Sequence, residues 1–163
     1  MEKTEKENTV NEKKSRSYSG NLLVVIRISG MVKVRKDIAE CLDRLRLRRK
    51  YACVLINGND RNIMGMLKKV RFYIAYGEID KDVLVELLKE KGKLIEGNKK
   101  ELKIDAEKTA SELINGKKLS ELGLKPFFRL HPPRKGIKSK LQYPKGVLGN
   151  NKKDINKLIE RML

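Results

Sequence analysis

Histidine is nearly missing from this sequence: His131 is the only one in 163 residues. A single histidine argues against a zinc site and leaves little for acid–base catalysis. Cysteine is almost as scarce. Cys41 and Cys53 form no CxxC pair, and each falls inside an apolar pattern where a free thiol behaves as a small hydrophobe. The simplest setting for such a chain is a reducing cytosol. Tryptophan is absent and aromatic residues make up 5% of the chain. Long apolar runs are lacking too. The longest, "LLVVI", falls far short of the roughly 20 residues that span a bilayer. The N-terminal "MEKTEKENTVNEKKSRSYSG" has no apolar segment, so it does not read as a secretory signal.

Positive charge is what the chain has in excess. The formal net charge is +18, with 39 Lys and Arg against 21 Asp and Glu. Its distribution is uneven. Residues 21–50 carry nine basic and three acidic side chains, and residues 51–77 carry four and one. Residues 78–121 are nearly balanced at ten and eleven, whereas residues 122–153 carry nine basic groups and no acid. Scattered surface lysines would not segregate in this way. Self-repulsion of this size calls for an anionic partner, nucleic acid before an anionic membrane surface.

Apolar residues at 39% suffice for one domain with its own core. Residues 1–18 are polar and without periodicity and read as a flexible tail. β-Branched "NLLVVIRIS" predicts a strand over Leu22–Ser29, with Leu22, Val24, Ile26 and Ile28 facing one way and Leu23, Val25, Arg27 and Ser29 the other. From Lys36, the helical stripe Ile38, Cys41, Leu42 and Leu45 runs into the basic "RLRLRRK". "YACVLI" and "FYIAYG" are further strands, separated by a helix with Ile63, Met66, Leu67 and Val70 inward, capped by Asn59 or Asp60. Asp80 caps a third helix that stops at Gly92. "AEKTASELI" and "KLSELGL" read as short helical pieces, "FFRL" as a strand or extended arm, and "KDINKLIERML" as a closing helix. The order β-α-β-α-β followed by helices predicts an α+β fold with helices on one face of the sheet. The expected organisation is a tail over 1–18, a core over 19–92, a helical insert over 93–124, and a basic arm with closing helix over 125–163.

"FFRLHPPRKGIKSKLQYPKG" holds the histidine and three of the four prolines, and no acid. Two prolines directly after His131 restrict the backbone and remove two N–H donors, which suits a fixed extended segment better than a proton shuttle. No Gly-rich phosphate loop is present, and the carboxylates of 78–121 alternate with lysines as on a solvated helix surface. No catalytic constellation and no cofactor or metal set emerges. With its glycines and prolines, residues 131–150 predict a long basic loop that orders against a polyanion. On composition alone an RNA-modifying enzyme with a basic groove and a general nucleic-acid compaction protein stay open beside a dedicated RNA-binding protein.

The runs "VVIRISGMVKVRKDIAECLDRLRL" and "ACVLINGNDRNIMGMLKKVRFYIAYGEID" resemble the large-subunit ribosomal protein L-thirty family, called L-seven in eukaryotes. "FRLHPPRKG" and "GVLGNNKKDINKLIERML" are similar to the C-terminal part of its archaeal-type members, and bacterial members stop near the third strand. The resemblance covers about residues 22–90 and 125–163. It implies a ferredoxin-like core, an antiparallel sheet packed on helices, and a structural, non-enzymatic role in the large ribosomal subunit of the cytoplasm. The implied partners are large-subunit rRNA with the 5S rRNA region nearby, and neighbouring ribosomal proteins, with no membrane and no small-molecule substrate. On matching positions it implies RNA contacts by Arg27, Lys33, Arg35, Arg61, Lys68, Arg129, His131, Arg134 and Lys135. Lys138, Lys140 and Lys145 join them on charge alone.

Overall fold

A computed structural model describes residues 22–95 and 105–163. The elements run β1 (Leu22–Arg27), α1 (Lys36–Arg44), β2 (Ala52–Asn57), α2 (Arg61–Val70), β3 (Ile74–Glu78), α3 (Lys81–Lys91), α4 (Ala106–Ile114), β4 (Phe128–Arg129), β5 (Gly149–Asn150), a 3₁₀ turn (Lys152–Asp154) and α5 (Ile155–Glu160). The sheet order is β4-β2-β1-β3-β5. Pairing is antiparallel throughout except for β3 with β5, which is parallel.

β1 is the centre of the sheet, and its sequence shows why. Val24, Ile26 and Ile28 enter one core, packed by α3, α4 and α5 through Leu84, Leu87, Ala110, Ile155 and Ile159. Leu23 and Val25 enter a second core, packed by α1 and α2 through Leu42, Leu67 and Val70. A strand apolar on both faces must be covered on both. The expectation of helices on one face therefore fails: α1 and α2 cover one side, and α3, α4 and α5 the other. Each fully buried aliphatic side chain contributes about 1.5–3 kcal/mol, so the second helical layer is a large part of the stability.

Other departures have local causes. "KLSELGL" forms successive three-residue turns, Glu121 N–H to Lys118 O, Leu122 to Leu119 and Gly123 to Ser120, and no helix. Gly116 and Gly123, at φ +96° and +70°, interrupt the chain on either side of a segment too short to nucleate a helix. Asp60 and Asp80 occupy N-cap positions, but neither carboxylate accepts a helix N–H. Asp80 instead pairs with Asn156 of α5, which donates to its Oδ2 at 2.7 Å while accepting the Asp80 N–H at 3.2 Å. The closing helix is shorter than expected, yet Ile155, Leu158, Ile159 and Met162 are all buried. The expected tail over 1–18 lies outside the described residues.

The closing segment Lys152–Met162, the 3₁₀ turn followed by α5, runs from one end of the sheet to the other. Its start is held at the end of β3, where the Lys152 carbonyl lies so close to Gly77 that a Cβ there would collide with it. Its last turn reaches the other end of the sheet, where Met162 O accepts the His131 N–H at 2.9 Å.

Candidate nucleic-acid interface

The pairing register places many basic side chains at one end of the sheet. β1 finishes there, and β2 and β3 begin there, since Arg27 pairs with Ile74 and Ile26 with Cys53. β4 adds Arg129 beside Ala52 at the same end. The chain leaves β4 through Leu130, whose N–H donates to Tyr51 O, and returns to the sheet only at Gly149, beside Ala75. The stretch between therefore crosses this end from one edge of the sheet to the other. The opposite end carries Asp60, Glu78, Asp80 and Asp82 alongside Arg61 and Lys81.

The basic stretch is ordered by the protein itself, which corrects the expectation that it waits for a polyanion. Pro133 is buried, and Leu130 and Leu148 belong to the core. Pro133 to Gly136 forms a β-turn closed by Gly136 N–H to Pro133 O at 2.9 Å, with Arg134 and Lys135 at its tip and Lys135 at φ +64°. Arg161 clasps this turn. Its Nε and Nη2 donate to Arg134 O at 3.1 and 2.7 Å, Nη2 also donates to Gly136 O at 2.5 Å, and Arg161 O accepts the Arg134 N–H at 2.8 Å. Further on, Leu148 N–H to Leu141 O, Tyr143 N–H to Leu148 O and Gly146 N–H to Gln142 O close a compact loop. Tyr143 Oη donates to Asp154 at 2.8 Å, which raises the phenol above its ordinary range. The same bond, with Lys157 beside it, lowers the Asp154 carboxyl.

Ten of the twelve expected contact residues share the basic end and the stretch across it: Lys33, Arg35, Lys68, Arg129, His131, Arg134, Lys135, Lys138, Lys140 and Lys145, all exposed. Of these, only Arg35 has a carboxylate partner among the described residues, Asp37 at 3.4 Å. Arg61 is exposed but sits at the opposite end. Arg27 is the correction. It is 1% exposed, and its guanidinium donates to Ser29 O at 3.0 Å, Leu47 O at 2.6 Å, Arg48 O at 3.1 Å and Gly30 O at 2.8 Å. No face of it is left for a phosphate. Its charge pins the β1–α1 and α1–β2 loops to the sheet instead.

Two contributors escaped the sequence reading. Arg161 follows α5 and is not among the expected contact residues. "RLRLRRK" runs on from a helix end, yet Leu45 and Leu47 are buried while Arg46, Arg48, Arg49 and Lys50 are exposed, the last three just before β2 begins at the basic end. That alternation was legible in the sequence.

The arrangement offers charge and no chemistry. The His131 ring makes no hydrogen bond to a described residue, and no group of three metal-ligating side chains occurs among the described residues. A groove of about 310 Å³ along the outer edge of β2 is lined mainly by apolar side chains such as Leu55, Ile63, Met66 and Leu119, with Asp60 its one acid. Cys41 and Cys53 are buried, and burial pushes both thiols up, away from reactivity. No described helix is long and apolar enough to cross a membrane.

Residues 23–74 match the family model described as ribosomal protein L30p/L7e. The large ribosomal subunit protein uL30 of Archaeoglobus fulgidus is 41% identical over 152 residues, 86% of this chain and 99% of its own. That of Methanococcus vannielii is 42% identical over 155 residues, 85% and 97% of the two chains. That of Nanoarchaeum equitans is 41% identical over 155 residues, 87% and 99%. Matches spanning nearly the whole of these archaeal relatives, on a five-stranded α+β sheet that includes the C-terminal extension, mean that this chain belongs to the ribosomal protein L30p/L7e family.

Proposed function

We propose that this protein, a structural constituent of the large ribosomal subunit, holds large-subunit rRNA through the basic end of its sheet. The observation that carries the reading is ten exposed expected contact residues on the basic end and the stretch that crosses it, nine of them with no carboxylate partner among the described residues. Lysine and arginine displace counterions from phosphates of a folded RNA, and the rigid sheet fixes where they stand. Family members are structural and not enzymatic. We place the protein in cytoplasmic ribosomes beside neighbouring ribosomal proteins, with the 5S rRNA region close to the basic end.

The test is the salt dependence of binding to large-subunit rRNA. Each neutralised phosphate adds about 0.9 to the log–log slope for duplex and about 0.7 for single strands. Replacing both residues at the tip of the turn, Arg134→Ala with Lys135→Ala, should flatten the slope by about 1.4 to 1.8. An unchanged slope would show that the turn touches no phosphate.

A further inference from the structure

Met31, Val32, Phe72 and Leu141 are large apolar residues that remain 57%, 87%, 55% and 59% exposed. All four lie at the basic end. Ile28 and Ser29 donate to Tyr73 O, which sets the β1–α1 loop carrying Met31 and Val32 beside the turn carrying Phe72. Gln142 Nε2, at 3.5 Å from Arg71 O, brings the stretch with Leu141 to the same turn. The fold does not need Phe72: its neighbour Tyr73 packs against the α1–α2 core, while Phe72 points out. The Arg71 guanidinium stands over the Phe72 ring, 4.8 Å from its centroid.

We infer that this apolar patch receives unpaired RNA bases, with Phe72 as the stacking platform, so that the interface selects bulged or looped RNA over continuous duplex. The inference rests on the RNA reading above and names the class of RNA. Phosphate contacts alone would need only lysine and arginine. Stacking of splayed bases on aromatic rings and guanidinium planes is how single-stranded elements are recognised. The surroundings favour RNA over a protein. Lys33, Lys68, Arg71, Lys138 and Lys140 are exposed within four residues of Val32, Phe72 or Leu141, and the carboxylate of Asp37 is taken up by Arg35 and Lys69. Centres of protein–protein interfaces are instead depleted in lysine.

The experiment uses the full chain and two probes, a blunt RNA duplex and the same duplex carrying a purine bulge, with affinities measured across a salt series. The wild type should prefer the bulged probe. Phe72→Ala should weaken bulged-probe binding about 5- to 150-fold, the range of one lost stack, with its salt slope and its duplex affinity unchanged. Phe72→Tyr should restore the preference. Equal loss on both probes, no loss, or a wild type without preference would overturn the inference. If neither probe binds with a salt-dependent affinity, the RNA reading itself fails. In assembled large subunits, a photo-crosslinker at position 72 should join rRNA, and a crosslink to protein alone would also overturn it.

Discussion

Arg27 separates charge from contact. In sequence it is the one charged residue of "LLVVIRIS", and alternation puts it on the same side as Leu23 and Val25. Had that side faced solvent, Arg27 would be free to meet a phosphate. It faces the α1–α2 layer, so burial lowers the guanidinium from its ordinary range, with Asp43 opposing the shift, and carbonyls take its N–H groups. The signal was present in the apolarity of both faces of β1, but two of the partner carbonyls, Leu47 O and Arg48 O, lie 20 and 21 positions away and have no side-chain signature. Arg27→Met keeps the volume and orphans those carbonyls. It should lower unfolding free energy by about 2–4 kcal/mol in denaturant titration. At temperatures where the variant is folded, its salt slope on rRNA should match the wild type's, because no phosphate contact has been lost.

At the level of elements, the parts legible in the sequence were those with period: β1, β2 and β3, the stripes of α1, α2 and α3, and the buried face of α5. What escaped were the two-residue strand β5 and side chains acting at a distance, whereas β4 falls within "FFRL", read as a strand or extended arm. β5 is only Gly149–Asn150, and Gly149 at φ +88° reads as a turn in any one-dimensional scan. Asn156 and Arg161 fix α5 at its two ends through carbonyls and a carboxylate remote in the chain. The bond between Tyr143 and Asp154 joins the basic stretch to the turn before α5, and it gives that joint a pH window. Asp154 is depressed in the fold, so its contribution is present above the ordinary carboxylate range and lost as pH falls through the lowered value. Tyr143 is raised, so its contribution is present below the ordinary phenol range and lost as pH rises through the raised value. Once intrinsic exchange rates are divided out, hydrogen exchange over residues 139–148 should therefore be slowest between these limits and accelerate at both extremes. In Asp154→Asn the acid-side acceleration should disappear.

For the whole molecule, the segregation of basic segments in the sequence became a segregation in space because the register stacks loops from different segments at one end. Arg61 shows the limit of counting along the chain. It belongs to a basic segment and lies at the far end beside Asp60, Asp80 and Asp82. Arg61→Ala should leave the salt slope unchanged, whereas Lys138→Ala should lower it by about 0.9 for a duplex contact. A field concentrated at one end also guides approach, so stopped-flow association should slow steeply with salt while dissociation responds less.

The clasp of Arg161 on the Pro133–Gly136 turn has a thermodynamic consequence. A disordered arm would surrender about 1–2 kcal/mol of backbone entropy per residue on docking and bury new surface, with a large negative heat-capacity change. Here that entropy was surrendered when the chain folded. The protein should meet its RNA as a preformed mould, and the heat of assembly should report mainly the RNA settling into place.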